Sequence, residues 1–368
     1  MKDSLCHSNS MSDNNIKSIE ELGYTNNIEQ LRQQQQLSDF DIGRVIAEHK
    51  ERYIVKTVDG EYKAEITGNI RFTAQSRMDF PTVGDWVAVC AFDDQLIIHA
   101  VIERQNLLKR KAVGKKSDEQ AIASNIDYAL IVQSSVDDFS LNRLERYLII
   151  CNDCNIHPIV ILSKIDQVSK DELELQITQI KERTNNTTVI PISNYNNSSI
   201  QQLLSGLQKE RTYCLLGSSG VGKSTLINNI MGNEIMKTKE ISIATSKGQH
   251  TTTHKQLFIS DEGVIIIDTP GMRELGIGGA SEGLSLTFDA LTDLSKDCKY
   301  KNCTHMHEKG CAIIEALNND LLDEELYNNY IKLYKEQQHY EMSVGEKKRK
   351  GKELARIIKD VKKNYRKK

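Results

Sequence analysis

Eight residues constrain this chain more than any others. Gly217-Ser218-Ser219-Gly220-Val221-Gly222-Lys223-Ser224 follows the apolar run Tyr213–Leu216 and opens the amphipathic stretch Lys223–Met231. It fits the Walker A pattern G-x-x-x-x-G-K-[ST], placed between a strand and a helix as that motif requires. The glycines let backbone N–H groups turn inward around an anion, and the helix N-terminus adds its positive pole. In that geometry Lys223 reaches the outer phosphates of a nucleotide and Ser224 binds Mg²⁺, with Thr225 ending the binding run.

The surroundings carry the same texture. Ile126–Gln133, Pro158–Leu162, Thr188–Ile192 and Val264–Ile267 read as buried strands. Leu141–Ile156, Glu172–Glu182 and Ile200–Leu207 read as helices between them. That alternation predicts an α/β domain with a mainly parallel sheet, over 106–280.

A phosphate cradle does not name the base. Asp268-Thr-Pro-Gly271 ends the next apolar strand. Its Asp meets the crevice at a strand C-terminus, placed to hold Mg²⁺ through water, and the Gly271 N–H meets the γ-phosphate. Base choice falls to Ser163-Lys164-Ile165-Asp166, also at a strand end, with Ser193-Asn194 as a second base-side loop. A carboxylate at Asp166 accepts from the N1–H and N2 amine of guanine, whereas adenine would leave it unpaired at about 1–3 kcal/mol. The usual pattern is NKxD. Ser163 replaces its Asn, and a hydroxyl is expected to be too short for the bracing and purine contacts that Asn makes. GTP selectivity with looser binding and faster exchange is the expectation.

The order of these parts is unusual. The base-side loops precede the phosphate loop, which precedes Gly248-Gln-His250-Thr-Thr-Thr253 and DTPG, so the chain reads as circularly permuted. Met272 follows DTPG where many GTPases carry a water-orienting Gln, and a thioether cannot do that work. His250 is the candidate in its place. One of Thr251, Thr252 and Thr253 completes the Mg²⁺ shell, with Thr252 the choice. Lys223, His250 and Thr252 are thus the expected catalytic residues.

Upstream, 39–105 alternates in short runs: Val45/Ile46, Tyr53–Val55, Tyr62–Ile66, Trp86–Val89 and Leu96–Ile102, with an Asp59-Gly60 turn. Five short strands fit a small OB-fold barrel. Residues 1–38 are rich in Asn, Ser and Gln and read as a flexible arm with one helix near Ile28–Leu37. Downstream, 281–340 reads as mainly helical. Cys298-x4-Cys303-x-His305-x5-Cys311 supplies three thiolates and an imidazole, a closed tetrahedral Zn²⁺ set with no open catalytic position. His307 is the rival fourth ligand. Cys151-x-x-Cys154 lies in a helical pattern, where cysteine behaves as a small apolar residue.

Net charge is −3, yet 341–368 holds twelve Lys/Arg against four Asp/Glu, leaving −11 on the rest. A basic tail on an acidic body suits a polyanionic partner such as RNA. The longest apolar runs fall far short of the roughly 20 residues of a membrane helix, and the first residues have no apolar core for a secretory signal. A cytoplasmic, monomeric protein without membrane contact is expected.

Barrel, permuted nucleotide domain and Cys/His cluster together resemble the ribosome small-subunit-dependent GTPase A (RsgA, or YjeQ) family. The residues that carry the likeness are Gly84-Asp-Trp-Val87, Asn125-Ile-Asp127, GSSGVGKST, GQHTTT and DTPGMRE, within about Gly43 to Tyr330. The resemblance implies a GTPase that binds the immature small ribosomal subunit and its rRNA. Hydrolysis of GTP to GDP, stimulated by the subunit, then drives release. It also implies one structural zinc per chain, Mg²⁺ with GTP, and a role for His250. Two other readings compete. One is a nucleotide-switched rRNA-binding module with negligible turnover. The other is an ATP-using enzyme, which Asp166 disfavours.

Overall fold

The computed structural model describes residues 16–49, 52–111, 119–235, 255–269 and 276–341. His250, Thr251, Thr252, Thr253, Gly271, Met272 and the basic tail lie outside the described residues. The chain divides into two compact units. One is Met1–Phe139 with Ile156–Ile177 and Thr188–Leu275; the other is Ser140–Asn155 with Thr178–Thr187 and Gly276–Lys368.

The first unit begins with α1 (Asn26–Gln34), whose N-cap Thr25 accepts a hydrogen bond from the Ile28 N–H. Then come β1 (Asp41–His49), β2 (Arg52–Lys56), β3 (Glu61–Ile66), α2 (Gly68–Thr73), β4 (Trp86–Phe92) and β5 (Gln95–Val101). Their order is β1-β2-β3-β5-β4, and β4 pairs back onto β1, which closes a five-stranded barrel of OB type. Val45, Val55, Ala64, Val87 and Ile98 fill its interior, the inward set of the period-two pattern. Asp59-Gly60 makes the β2–β3 hairpin.

Within the arm expected over 1–38, residues 16–38 pack against the barrel. Leu22 and Ile28 are buried with Trp86 and Ile102, and Ile19 and Leu31 pack against them. A few apolar residues spaced through a polar run suffice to lay one face of α1 on the barrel.

Next come β6 (Leu107–Lys111) and β7 (Glu119–Ser124), an antiparallel pair. The nucleotide domain follows as β8 (Tyr128–Ser134), α3 (Leu141–Asp153), β9 (His157–Ser163), α4 (Lys170–Arg183), β10 (Val189–Pro191), α5 (Asn197–Gly206), β11 (Thr212–Leu216), α6 (Lys223–Met231), β12 (Gln256–Ile259) and β13 (Ile265–Asp268). The sheet order is β10-β9-β8-β11-β13-β12. Its first five strands are parallel, and β12 is antiparallel to β13. Leu203 of α5 and Leu226, Ile227 and Ile230 of α6 pack with Leu130, Leu215 and Ile266 of the sheet. β12 also pairs with β1, Ala47 opposite Gln256, so the sheet continues into the barrel.

Arg44 fastens these parts. It is fully buried, with its guanidinium 5.3 Å from the Trp86 ring centroid. It donates to Leu22 O, to Gly84 O at 3.3 Å, to Asn125 O at 3.2 Å and to Thr212 Oγ1 at 2.8 Å. Burial pulls its pKa down to about 10, while Asp127 and Asp85 pull it back up, so it stays charged at neutral pH. One side chain thereby ties the preceding segment, the barrel, the link between β7 and β8, and the start of β11.

The second unit contains α3 and the end of α4 together with α7 (Ser281–Thr287), α8 (Asp289–Ser295), α9 (Ala312–Asn318) and α10 (Glu324–Glu341). Glu145 is buried between Arg183, at 2.8 Å, and the Asn329 amide, and burial raises its carboxyl pKa. Arg146 grips Glu336 with two bonds of 2.8 and 2.7 Å. Cys151 is buried on α3, and the described cysteines form no disulfide.

Replacing Arg44 with Met keeps the stem and removes every bond from the buried carbonyls. The unfolding free energy is expected to fall by about 3 kcal/mol or more, read from urea denaturation. An unshifted midpoint would show that those bonds contribute nothing.

Candidate functional site

Because β8, β9, β11 and β13 run parallel, the loops that follow them leave one edge of the sheet. Strands lie about 4.8 Å apart, so the ends of β9 and β11, with β8 between, are about 10 Å apart. That span suits a single nucleotide, with Asp166 just beyond β9 and Lys223 just beyond β11.

The phosphate loop is shaped by its glycines. Gly217 has φ +141°, and a Cβ there would stand 2.3 Å from the Val132 carbonyl oxygen on β8. Gly222 has φ +97°, and its Cβ would meet the Asn194 amide at 2.6 Å. Only glycine permits both the dihedrals and the approach. Ser218 and Ser219 are half-buried, Gly220 is exposed and Val221 is buried, while Ser224 and Thr225 lie in the first turn of α6. The Lys223 ammonium lies across the loop and donates to Gly217 O at 2.9 Å and Ser218 O at 2.5 Å.

The base-side loops meet this loop directly. Lys164 has φ +61°, an uncommon left-handed turn for a non-glycine residue, and it redirects the chain into the short turn Ile165–Gln167 that presents an exposed Asp166. The Ile165 N–H donates to Ile192 O at 3.4 Å, next to Ser193, whose own N–H donates to Ser199 Oγ at 3.1 Å. The Asn194 amide donates to Gly222 O at 3.2 Å and is backed by Asn229, which donates to Asn194 O at 3.0 Å.

Ser163 corrects the sequence-based expectation. Its hydroxyl is fully buried, lies 2.7 Å from Val221 O in the phosphate loop and 3.2 Å from Gln133 O on β8, and so does brace. A hydroxyl suffices because the loop is drawn close to β8, as the Gly217–Val132 approach shows. The argument for loose binding from a missing brace therefore fails.

Asp268 ends β13 beside the loop and is buried. Burial pushes its pKa up to about 6, and the Lys223 ammonium and the Thr269 N–H pull it down. A buried carboxylate and the Ser224 hydroxyl, both hard oxygen donors, fit a magnesium ion held with a nucleotide. Thr269, which sequence reasoning passed over, donates from its hydroxyl to Leu215 O at 2.9 Å and pins the end of β13 to β11.

In the second unit the Cys298, Cys303 and Cys311 sulfurs and a His305 ring nitrogen all lie within 4.8 Å of one another. His305 Nδ1 is 3.6 Å from Cys298 Sγ and 3.5 Å from Cys311 Sγ, and those sulfurs are 3.8 Å apart. A tetrahedron with zinc-like bonds has sulfurs about 3.8 Å apart and sulfur and nitrogen about 3.6 Å apart. Burial, then the neighbouring Cys311 and Cys298 thiols, push Cys303 up to about 12, a cost that a bound cation reverses. Burial lowers the His305 pKa, which keeps the ring a neutral donor. The cluster can hold one metal ion with all four positions filled. His307 is exposed and outside the set. Glu308, also missed, shapes the loop: its carboxylate accepts from the Thr304 N–H and hydroxyl and from the Met306 and His307 N–H groups.

Fold and site define a P-loop GTPase of permuted order, joined to an OB-type barrel and a helical unit whose Cys/His cluster could hold a metal ion. A family model described as RsgA GTPase matches residues 101–278. A model of the ABC transporter family also matches residues 200–360, a span that includes the Walker A strand, loop and helix shared among P-loop proteins. A protein of Bacteroides thetaiotaomicron named small ribosomal subunit biogenesis GTPase RsgA 1 is 36% identical over 93% of this chain and 96% of its own length. One of the same name from Listeria innocua is 40% identical over 88% and 90%. The crystal structure of YjeQ from Thermotoga maritima has TM-score 0.60 at 23% identity, covering 80% of this chain and 97% of that one. YloQ, described as a circularly permuted GTPase, has TM-score 0.57 at 24% identity, covering 83% and 98%. The chain belongs to the RsgA GTPase family.

Two outcomes follow from the geometry. Ser163→Ala removes the brace and leaves the buried Val221 carbonyl short of a donor. Stability should fall by about 1–2 kcal/mol in denaturant, with weaker binding of a fluorescent GDP analogue. Elemental analysis of purified protein should find one metal ion per chain, lost in Cys303→Ser and kept in His307→Ala.

Proposed function

We propose that this chain binds the small ribosomal subunit through its rRNA and hydrolyses GTP late in subunit maturation, the subunit stimulating turnover. The observation that carries the nucleotide half is the meeting of the Ser163–Asp166, Ser193–Asn194 and Gly217–Ser224 loops at one sheet edge. The partner is supported by the names of relatives that match most of the chain. An OB-type barrel and the +8 segment 341–368 both suit a polyanionic partner. Among the described residues no helix is long and apolar enough to cross a membrane. A cytoplasmic site of action follows from the ribosomal partner.

In this mechanism Asp166 accepts from the guanine N1–H and N2 amine, with Ser163, Lys164, Ile165, Ser193 and Asn194 forming the walls on the base side. Backbone N–H groups of Gly217 to Thr225 hold the phosphates, and Lys223 exchanges its carbonyl partners for β- and γ-phosphate oxygens. Ser224, Asp268 and Thr252 would hold a magnesium ion with GTP, which would supply charge neutralisation at those oxygens. The Gly271 N–H meets the γ-phosphate. His250 orients the water that takes the γ-phosphoryl group, leaving GDP and phosphate. Catalysis of this kind is positioning and charge neutralisation, so basal turnover is slow until a partner orders the parts. The Cys298, Cys303, His305 and Cys311 donors suit zinc in a structural role, since no coordination position stays open.

GTP turnover measured across a titration of purified small subunits should rise and saturate; a flat, negligible rate would favour the nucleotide-switched binding module instead. His250→Ala should abolish the stimulated rate and leave GTP binding intact. Unaltered turnover would remove His250 from the mechanism.

A further inference from the structure

We propose that Tyr195 covers one face of the bound guanine as a stacking ring, an inference that rests on the reading of Asp166 and Ser193–Asn194 as the base side of the site. Tyr195 directly follows Asn194 and is 85% exposed. A single exposed apolar side chain needs no explanation by itself. Its place supplies one. The Asn196 N–H donates to Ser193 O at 3.1 Å and the Tyr195 N–H to Ser193 Oγ at 3.3 Å, so Tyr195 sits in a tight turn. Bonds on two sides seat that turn between the loops that define the site. The Asn194 amide donates to Gly222 O at 3.2 Å, one residue before Lys223, and Asn229 on α6 holds Asn194 O at 3.0 Å. Ile192 O accepts from the Ile165 N–H at 3.4 Å, one residue before Asp166. The Tyr195 Cα is thus about 3.8 Å from that of a residue bonded to the phosphate loop.

Both base-side loops follow one burial pattern. Ser163 is buried, Lys164 and Ile165 are half-buried, and Asp166 is exposed. Ile192 and Ser193 are buried, Asn194 is half-buried, and Tyr195 is exposed. In each loop the residues next to the strand brace, and the first exposed side chain is left to meet a ligand. The other side chains of the turn are committed: Ser193 to the Tyr195 N–H, Asn194 to Gly222, and Asn196 Oδ1 to the Ser198 N–H at the start of α5. The ligand chemistry agrees. Asp166 reads one edge of guanine and leaves the flat faces of the purine to other groups. Residues 163–167, 193–197 and 217–225 contain one aromatic ring, that of Tyr195. Stacking a base on an aromatic side chain is worth roughly five- to a hundredfold in affinity, and it tolerates any base because every base has a π-face. Selectivity therefore stays with Asp166, and Tyr195 adds affinity alone.

The test uses the full chain and three substitutions: Tyr195→Ala, Tyr195→Phe and Asp166→Ala. Affinities for GDP, inosine diphosphate (which lacks the N2 amine) and inorganic pyrophosphate are measured by competition against a fluorescent GDP analogue. The thermal midpoint and binding to purified small subunits are read alongside. Tyr195→Ala should weaken GDP and inosine diphosphate by the same factor, about fivefold or more, and leave pyrophosphate and the thermal midpoint unchanged. Tyr195→Phe keeps the ring and should hold GDP affinity within about twofold. Asp166→Ala should shrink the preference for GDP over inosine diphosphate, a ratio that Tyr195→Ala leaves alone. Unchanged GDP affinity in Tyr195→Ala would overturn the proposal. So would an equal loss for pyrophosphate, which marks a displaced loop, or a loss confined to subunit binding, which assigns the ring to the partner. If Tyr195→Ala behaves as expected and Asp166→Ala leaves the ratio unaltered, the stacking ring stands and the role of Asp166 falls. A wild-type chain that binds pyrophosphate as tightly as GDP brings down the base site and this inference with it.

Discussion

Parallel strands deliver their following loops to a single edge, and the nucleotide site depends on that constraint. It is a property of strand direction and spatial order, and the order of the chain does not enter. β9 precedes β11 in sequence by about fifty residues and they flank β8 on opposite sides, yet both run parallel to it and feed loops toward one crevice. Circular permutation is therefore tolerated at this site. It changes which segments are covalent neighbours, and here β13 is followed in the chain by the C-terminal helices.

Convergence brings loops near one another; hydrogen bonds make them one site. The Ser163 hydroxyl and the Asn194 amide both end on carbonyls of the phosphate loop, Val221 and Gly222. The base side thus holds the phosphate side through the two residues that precede Lys223. These bonds are buried or half-buried, where an unmade bond costs more than a made one gains. Arg44 obeys the same rule at larger scale. Its acceptors are three backbone carbonyls and a hydroxyl, all buried, so losing the cation would strand acceptors in several segments at once.

What was legible in the sequence was mostly local. The Walker A loop, the Asp59-Gly60 hairpin, the five barrel strands and the Cys/His set each declare themselves within a few residues. β12 did not, because Gln256–Ile259 is only four residues long. The β6–β7 pair was missed because Leu107–Lys111 carries three basic residues and shows no clean alternation. Composition misled at the N-terminus, where polar residues outnumber the few apolar ones that bury Leu22 and Ile28. Ser163 was misjudged for another reason: side-chain length was weighed without the backbone separation, and only the structure supplies that separation. His305 was the expected fourth ligand with His307 its rival, and the structure groups His305 with the cysteines while leaving His307 exposed.

The second unit shows why a metal suits this chain. α7, α8 and α9 are seven residues each, below the length at which a helix persists on its own. Helices so short need fixed neighbours. α3 and the end of α4 provide some of them, with the buried Glu145 satisfied by Arg183 and Asn329. The remaining loop, from Cys298 to Cys311, has little apolar area to bury. Its order comes from Glu308, which gathers backbone N–H groups, and from Tyr327 on α10, whose hydroxyl donates to His305 O at 2.7 Å. His305 adopts φ +60°, uncommon for a residue with a side chain, and that turn aims its ring at the cysteines. Such a backbone persists only where its surroundings over-determine it. Four donors within 4.8 Å of one another, three of them at the edge lengths of a metal tetrahedron, and locked from outside by Glu308 and Tyr327, meet that condition where a hydrophobic core of this size could not.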